Sequence, residues 1–299
     1  MKIAVSGATG FIGRHVLSEL ARHPVEVVVM TRAATKRGID PRVKTVQLDI
    51  NTHMEDTFDL LGRPDALIHL AWGGLPNYRS LHHYETELPN HYRFLSGLVR
   101  GGLSALVVTG TCFEYGMQSG QLSEDMLARP DNPYGFAKDT LRRQLEYLCG
   151  NKSFKFAWPR LFYLHGEGQA ENSLLPQLKR AVESGERVFN MSGGEQLRDY
   201  LPVADVAKSI VMLALNKADI GAVNICAGQP ISVRQFVEKM IAEHEWDIKP
   251  NLGYYPYPDY EPLAFWGNRA KLTAFKKAID AALVAETAMS SSCANICKS

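Results

Sequence analysis

Short apolar runs alternate with longer amphipathic segments through the first half of the chain. The apolar runs cover residues 3–5, 25–30, 43–48, 66–70, 105–109 and 154–158. Apolar positions recur with helical spacing over residues 11–22, and residues 78–100 and 134–149 are long enough to form crossover helices. Buried strands that alternate with helices in this way predict an α/β fold, with a doubly wound parallel sheet covered by helices on both faces.

The pattern changes beyond about Arg160, where prolines divide the chain into shorter elements. Residues 204–215 repeat the helical pattern and residues 222–225 form one more apolar run, so this segment is expected to return to the parallel sheet. The C-terminal tail has little to bury and is expected to fray. The predicted division is a first domain of residues 1–165 with residues 203–226 returning to it, a smaller lobe of residues 166–202 and 227–286, and a frayed tail of residues 287–299.

Composition and charge narrow the classes of function. The 299 residues are 45% hydrophobic, which suits one large α/β unit or two unequal lobes. A net charge of +1, from 33 basic and 32 acidic residues, gives no field that would favour nucleic acid or an anionic membrane as a partner. The N-terminus has neither a signal-peptide layout nor a membrane-spanning apolar segment, so a cytoplasmic location without membrane insertion is expected. The five scattered cysteines favour free thiols over disulfides or a zinc site.

Three glycines follow the first apolar run, at the turn into the first predicted helix. Gly7, Gly10 and Gly13 lack a Cβ atom, which permits a tight bend and lets a pyrophosphate approach the N-terminus of the helix. The spacing is G-x-x-G-x-x-G rather than G-x-G-x-x-G, and such a trio also occurs in ordinary turns between strands and helices. Its position directly after the first strand favours the binding of a dinucleotide cofactor.

The end of the second strand bears on which dinucleotide is bound. In dinucleotide folds this position lies near the adenine ribose, and an acidic side chain there favours a bare 2′-hydroxyl. Here the chain has Arg32, whose guanidinium suits a 2′-phosphate, with Arg14, Lys36 and Arg37 as additional donors. NADP(H) is therefore favoured over NAD(H). The alternative is that Arg32 is only a solvated loop charge.

Asp49 follows the third apolar run and can accept a hydrogen bond from the adenine amino group. The backbone of Leu70, Ala71 and Trp72 is expected to line the other side of the cofactor. The alternative for Asp49 is that it only caps a helix beginning near Asn51.

Tyr134 and Lys138 lie four residues apart, so on a helix both side chains project from one face. An adjacent ammonium group favours the phenolate, which predicts a Tyr134 pKa lowered towards neutral pH. Tyr134 can then donate a proton to an alkoxide forming at a ketone, or remove one in the reverse direction. Thr111 lies at the carboxyl edge of the predicted sheet and can polarise the same oxygen, with Thr109 as the alternative for that role. In isolation, a Tyr-x-x-x-Lys pair is also typical of a helix surface.

Together these motifs resemble the extended short-chain dehydrogenase/reductase family, in its branch of nucleotide-sugar epimerases, dehydratases and ketoreductases. The resemblance covers residues 1 to about 275 and implies a Rossmann-like fold with a smaller C-terminal substrate lobe. It implies that Thr111, Tyr134 and Lys138 are the catalytic residues and that Lys138 also binds the nicotinamide ribose. The residues that carry it are the glycine turn and residues 49–50, 69–71, 111–116, 134–138, 159–161 and 198–205.

The resemblance also implies binding residues. Those for the cofactor are Gly7, Thr9, Gly10, Phe11, Ile12, Gly13, Arg32, Asp49, Ile50, Leu70, Ala71, Trp72, Thr109, Lys138 and Leu161. Those for the substrate are Tyr163, Asn172, Ser173, Leu174, Arg198 and Arg269. Arg198 matches the phosphate-binding arginine of the family, whereas residues 172–174 could equally cap the helix that follows. Tyr163 replaces an asparagine of many relatives, and Pro202 and Ala204 replace a histidine and an aspartate, which leaves the sugar and base preference open.

Members of the branch that eliminate water carry acidic residues one or two places after the catalytic threonine, where this chain has Cys112 and Phe113. Glu114 lies one place too late, so a dehydratase is disfavoured. The expected reaction is NADPH-dependent reduction of the 4-keto group of a nucleotide-diphospho-4-keto-6-deoxyhexose, with Tyr134 as proton donor. The alternatives are an NAD-dependent nucleotide-sugar 4-epimerase and a non-catalytic NADP-sensing regulator. The regulator is disfavoured because the three catalytic residues are intact.

Two further expectations concern the predicted outer helices. His82, His83 and His91 lie near acidic residues on the helix predicted over 78–100, and they are interpreted as a solvated face rather than as metal ligands. No metal site is expected. The helices predicted over 78–100 and 134–149 carry enough apolar residues to form a two-fold helix-pair interface, so a homodimer is expected.

Overall fold

The structure is a computed structural model that describes residues 1–32, 39–52 and 56–296. Its strands are β1 (Lys2–Ser6), β2 (Glu26–Thr31), β3 (Lys44–Gln47), β4 (Ala66–His69), β5 (Ala105–Val108), β6 (Gly110–Thr111), β7 (Gly120–Leu122), β8 (Lys155–Leu161), β9 (Tyr163–His165), β10 (Val188–Asn190), β11 (Leu197–Arg198), β12 (Tyr200–Pro202), β13 (Gly221–Ile225), β14 (Ile231–Ser232), β15 (Lys249–Asn251) and β16 (Phe265–Gly267). The central sheet has the spatial order β13-β8-β5-β4-β1-β2-β3, with β6 also paired to β8. All of its pairings are parallel.

The helices connect and cover these strands. They are α1 (Phe11–Leu20), α2 (Thr57–Leu60), α3 (Leu88–Gly101), α4 (Pro133–Asn151), α5 (Leu174–Glu183), α6 (Val203–Leu215), α7 (Val233–Glu243) and α8 (Ala270–Ile296). A π-helical turn at His83–Glu87 leads into α3, and a 3₁₀ turn at Cys112–Tyr115 follows β6. Across the described part of the chain, none of the helices has the length and apolar character that crossing a bilayer requires.

The central sheet is doubly wound, as predicted, because β2 and β3 extend from one side of β1 and β4, β5, β8 and β13 extend from the other. Its strands are buried on both faces. Along β1, Ile3 and Val5 pack in a cluster with side chains of α1 and α6, whereas Ala4 packs in a cluster with side chains of α3 and α4. This alternation explains why β1 reads as a continuous apolar run.

A second, smaller core lies in the C-terminal part of the chain. It is built from α5, β10, α7 and the segment before β15, with Leu178, Phe189, Phe236 and Ile248 at its centre. None of the described side chains of α8 belongs to this core. Leu272 of α8 packs instead with the core of the central sheet.

One helix starts later than the sequence predicts. The helix predicted over 78–100 starts only at His83, because Tyr78 is held outside it by a hydrogen bond that the Tyr134 N–H donates to the Tyr78 carbonyl at 3.1 Å. Helix α8 extends to Ile296, and the fraying expected of residues 287–299 stays a prediction. Residues 297–299 lie outside the described residues.

Candidate active site

The glycine turn lies at the carboxyl edge of the central sheet, between β1 and α1. Gly7 has a φ of +70°, and a Cβ atom there would lie 2.6 Å from the Ala71 backbone nitrogen. A Cβ on Gly13 would lie 2.6 Å from the Ala8 backbone, so α1 can approach β1 only with glycine at this position. Gly10 precedes the first residue of α1 and donates its N–H to the Gly7 carbonyl at 3.0 Å. This geometry fits a dinucleotide, because side chains would otherwise fill the approach to the helix N-terminus.

The other residues implied for this end of the cofactor lie at the same edge. Thr9 is exposed, and Phe11 and Ile12 are partly buried in the first turn of α1. Leu70 and Ala71 follow β4, and their backbone lies directly against Gly7. The structure therefore brings the glycine turn and the end of β4 together.

Arg32 is exposed just beyond β2, and its backbone carbonyl accepts a hydrogen bond from the Gln47 side chain at 3.3 Å. Its guanidinium makes no hydrogen bond or ion pair with any residue that the structure describes. Arg14, one of the additional donors, bonds instead to the Gly168 carbonyl at 3.3 Å. Lys36 and Arg37 lie outside the described residues.

Asp49 closes a turn rather than capping a helix. Its Oδ1 accepts hydrogen bonds from the Asn51 N–H at 3.0 Å and the Asn51 side-chain amide at 3.1 Å. The next helix, α2, begins only at Thr57. Asp49 and the adjacent Ile50 are partly buried just beyond the carboxyl end of β3, and their contact with adenine stays a prediction.

Thr111, Tyr134 and Lys138 come together where β5, β6 and α4 meet. Tyr134 is 8% and Lys138 2% exposed, which excludes the surface-pair interpretation. The Lys138 ammonium donates to the Thr109 carbonyl at 2.9 Å and lies 6.0 Å from the centre of the Tyr134 ring. Asn132 caps α4 by accepting the Gly135 N–H at 2.9 Å, which fixes the start of the helix that carries both residues.

The expectation that Lys138 lowers the pKa of Tyr134 is wrong for this structure. Burial raises the pKa of Tyr134 well above its ordinary value, and its hydrogen bond with Thr111 lowers it only in part. Burial also lowers the pKa of Lys138 to about 7. Desolvation therefore has a larger effect on both groups than their mutual attraction, so the phenol is protonated at neutral pH.

The side chains next to Thr111 are either held in hydrogen bonds or kept protonated by burial. Glu114 is fully buried and accepts hydrogen bonds from the Thr111 N–H at 2.9 Å, Trp158 Nε1 at 2.8 Å and Arg160 Nε at 2.7 Å. Burial raises the pKa of the Cys112 thiol to about 12. Neither group is free to act as the extra acid or base that an elimination requires.

Arg198 lies in a buried ion pair that the sequence did not reveal. Its Nη2 donates to Glu261 Oε1 at 2.6 Å, and its Nη1 donates to the carbonyls of Leu197 at 2.8 Å and Leu263 at 3.1 Å. The Tyr163 hydroxyl donates to the other oxygen of Glu261. Arg198 and Tyr163 thus share one carboxylate. Glu261 lies in a loop rich in Tyr and Pro, where no periodicity marks a functional residue.

The remaining candidates for substrate binding contact other parts of the chain than Arg198 and Glu261 do. Arg269 is exposed before α8 and donates to the Ala227 carbonyl at 3.1 Å. Helix α5 begins at Leu174, and Ser173 precedes it without a side-chain capping bond. Asn172 is exposed. The side chains of Asn172 and Ser173 therefore do not serve as helix caps.

The solvated-face interpretation is wrong for two of the three histidines. His83 and His91 are buried, and only His82 is partly exposed. His83 Nδ1 accepts the indole N–H of Trp72 at 3.1 Å, and its ring lies 5.2 Å from that of Tyr134. Within the described ranges, no group of His, Cys, Asp and Glu is arranged to hold a metal ion. His83 and His91 line the buried side of the catalytic cluster. The π-helical turn and α3, which carry them, both pack against α4.

Several known proteins are similar to this chain. A family model described as the NAD dependent epimerase/dehydratase family matches residues 3–226. The dTDP-6-deoxy-L-talose 4-dehydrogenase (NAD(+)) of Aggregatibacter actinomycetemcomitans is 30% identical over 270 residues, which cover 89% of this chain and 99% of that protein. A UDP-glucose 4-epimerase of Lactobacillus helveticus is 25% identical over 252 residues, which cover 74% of this chain and 75% of that protein.

Similarity extends to solved structures. MoeE5 in complex with UDP-glucose and NAD matches with a TM-score of 0.77 and 27% identity, over 92% of this chain and 91% of that chain. The parallel sheet and its flanking helices are therefore an arrangement that this chain shares with that protein.

Proposed function

This chain belongs to the NAD dependent epimerase/dehydratase family, and we propose that it reduces the 4-keto group of a nucleotide-diphospho-4-keto-6-deoxyhexose. The observation that carries the proposal is the buried cluster of Thr111, Tyr134 and Lys138, next to which no free acid or base is available for elimination. Such a site supports one hydride transfer coupled to one proton transfer. The relative named dTDP-6-deoxy-L-talose 4-dehydrogenase is named for oxidoreduction at the same sugar carbon.

Each residue of the site has a separate role in this reaction. The nicotinamide cofactor, when bound, supplies the hydride. The glycine turn admits the pyrophosphate to the N-terminus of α1, and Lys138 binds the nicotinamide ribose. The protonated phenol of Tyr134 donates its proton to the oxygen at C4, while the hydroxyl of Thr111 donates a hydrogen bond to that oxygen. Arg198 binds the diphosphate of the substrate, for which it must exchange its contact with Glu261.

We propose NADP(H) as the preferred cofactor because the guanidinium of Arg32 is exposed at the end of β2. Replacing this arginine by Asp substitutes an acceptor that suits a bare 2′-hydroxyl and repels a 2′-phosphate. In Arg32→Asp, kcat/KM with NADPH is expected to fall about 10-fold or more relative to NADH, which corresponds to about 1.4 kcal/mol of lost transition-state binding. The exposed Arg22→Asp, with the same charge change, is the control. An unchanged ratio of the two kcat/KM values in Arg32→Asp contradicts this preference.

A nucleotide-sugar 4-epimerase is the second candidate, because a UDP-glucose 4-epimerase is among the similar proteins. The same three residues serve both reactions, so the difference lies in whether the cofactor is consumed. An epimerase oxidises C4 and reduces it again, which leaves the cofactor unchanged after each turnover.

One assay separates these candidates. The purified protein is incubated with a panel of nucleotide-diphospho-4-keto-6-deoxyhexoses and with UDP-hexoses, and nicotinamide absorbance is followed with NADPH and with NADH. Loss of reduced cofactor equal to the sugar product supports the ketoreductase. Interconversion of sugar epimers without cofactor loss identifies the epimerase, and cofactor binding without any turnover identifies a sensor.

We also propose a homodimer that uses α3 and α4. Phe136 and Tyr147 of α4 are 49% and 79% exposed, although both are large and apolar. They are three helical turns apart and therefore lie on one face of the helix. A second copy of the chain would cover this face.

A further inference from the structure

A chain of buried hydrogen bonds lies behind the catalytic residues. Ser6 Oγ lies 2.7 Å from His69 Nδ1, His69 Nε2 lies 2.7 Å from His91 Nδ1, and His91 Nε2 lies 2.9 Å from Glu87 Oε2. All four side chains are buried. The proposed reaction uses none of them, so their presence in the interior requires another explanation.

Glu87 carries the negative charge of this chain. Burial alone would raise its pKa, but hydrogen bonds from His91 and from the Gly73 N–H lower it to about 2. Burial lowers the pKa of both His69 and His91, so their rings are neutral at neutral pH. Because a neutral imidazole has one donor and one acceptor nitrogen, Ser6 donates to His69, His69 to His91, and His91 to Glu87.

Lys138 is a buried cation that contacts this chain of hydrogen bonds through the indole ring of Trp72. Its ammonium lies 4.0 Å from the centre of the Trp72 ring, on which the ring of His91 stacks at 4.6 Å. The Gly73 N–H, one residue further along, donates to Glu87 at 2.7 Å. Glu87 therefore holds both the backbone beside Trp72 and the imidazole that packs on it.

Neither buried charge has an ion-pair partner of fixed charge in direct contact. Among the described residues, Lys138 forms no salt bridge, and Glu87 pairs only with imidazoles. Glu114 stabilises the charged form of Lys138 more than Glu87 does, but Glu114 is already paired with Arg160 at 2.7 Å. In an interior of low dielectric, a cation and an anion separated by the Trp72 indole and the His91 imidazole stabilise each other.

We propose that Glu87 is the counter-charge of Lys138, a positioning residue that acts through His91 and Trp72 to keep the lysine charged and seated on the Thr109 carbonyl. Insofar as Lys138 is catalytic, this role rests on the proposed function. The titratable or charged groups that face Lys138 from the surrounding elements are Glu114 of the 3₁₀ turn, Glu87 and His83 of the π-helical turn, His91 of α3, His69 of β4 and Tyr134 of α4.

The direct test is a titration of Lys138 in the protein without cofactor. Lysine labelled with ¹³C at Cε is followed by NMR over pH, and the Lys138 signal is assigned by its absence in Lys138→Met. In Glu87→Gln, the midpoint of this titration is expected to fall by about one pH unit, because the neutral amide no longer stabilises the ammonium. Glu85→Gln, an exposed position in the same π-helical turn, should leave the midpoint unchanged. An unchanged midpoint in folded Glu87→Gln overturns the proposal.

Two further variants test whether the effect on Lys138 depends on the charge of Glu87 and whether it is reciprocal. Glu87→Asp retains the charge, so its midpoint should stay close to that of the unsubstituted protein, and a fall as large as in Glu87→Gln overturns the role of charge. Coupling is reciprocal, so Lys138→Met should raise the pKa of Glu87, followed through ¹³C-labelled glutamate. This second titration decides the question even if Glu87→Gln does not fold, and an unmoved Glu87 contradicts the coupling.

The pH profile of turnover links the coupling to activity. In Glu87→Gln, the limb at which activity falls with rising pH should move to lower pH, because the ammonium is lost earlier. Glu85→Gln should retain the original profile. Absence of turnover with every substrate of the panel contradicts the proposed function, whereas the NMR midpoints still decide whether Glu87 and Lys138 are coupled.

Discussion

At the scale of single residues, the protonation states of Tyr134 and Lys138 determine which group can supply a proton in the proposed reaction. Because burial raises the pKa of this phenol, the proton that a forming alkoxide needs is already in place at neutral pH. Lys138, with its pKa lowered to about 7, changes its charge near neutral pH and is the more sensitive member of the pair. The phenol can therefore supply the proton that the proposed reduction requires.

Removing the phenolic hydroxyl tests this assignment. Tyr134→Phe keeps the buried ring but has no proton to donate, so kcat is expected to fall about 100-fold or more. The affinity for the cofactor, measured by fluorescence quenching, should change little. Tyr147→Phe removes a hydroxyl from an exposed tyrosine of the same helix and serves as the control. Turnover in Tyr134→Phe that equals that of the control would revive the sensor interpretation.

Arg198 is expected to bind the diphosphate of the substrate through its planar fork of donors. Lysine keeps the charge but cannot make a bidentate contact, so Arg198→Lys should raise KM for the nucleotide sugar about 10-fold, equivalent to about 1.4 kcal/mol. Cofactor affinity should be unaffected, and Arg22→Lys, an exposed substitution just beyond α1, should leave KM unchanged. Equal KM values for these two variants would remove Arg198 from the substrate site.

At the scale of elements, the contact between β1 and α1 depends on the absence of a side chain. A methyl group at Gly13 would collide with the backbone of Gly7 and Ala8, so Gly13→Ala should lower the free energy of unfolding by about 1–3 kcal/mol and weaken cofactor binding. Gly150→Ala is the matched control, because no heavy atom lies within 4 Å of a Cβ there. Denaturant unfolding measures both variants. A Gly13→Ala protein as stable as the control would show that α1 can move away without cost.

The predicted elements were correct where local pattern decides them. Buried strands such as β1 and β5 are apolar on both faces, and this property is visible along the chain without knowledge of their neighbours. The start of the helix predicted over 78–100 was not visible, because the Tyr134 N–H holds Tyr78 outside it. That contact joins segments 56 positions apart, and no local pattern reports it.

At the scale of the whole molecule, the exposed apolar face of α4 predicts self-association. Sedimentation at micromolar concentration should show a dimer, and Tyr147→Glu should shift the equilibrium towards monomer by placing a charge in the contact. Val188→Glu, at an exposed apolar position on β10 next to the smaller C-terminal core, should leave the dimer intact. A monomer at these concentrations in the unsubstituted protein would contradict the proposed interface.

The family membership confirms the resemblance inferred from the motifs, and the doubly wound sheet confirms the predicted fold. The amino-acid sequence by itself determined the order of the elements and the close spacing of Tyr134 and Lys138, because periodicity, glycine turns and residues one helical turn apart are local properties. Only the tertiary structure decided that His91 is buried, that Glu261 meets Arg198 and that burial raises the pKa of Tyr134. These features arise when distant segments exclude water from one another, and desolvation is a property of the packed chain rather than of any segment of it.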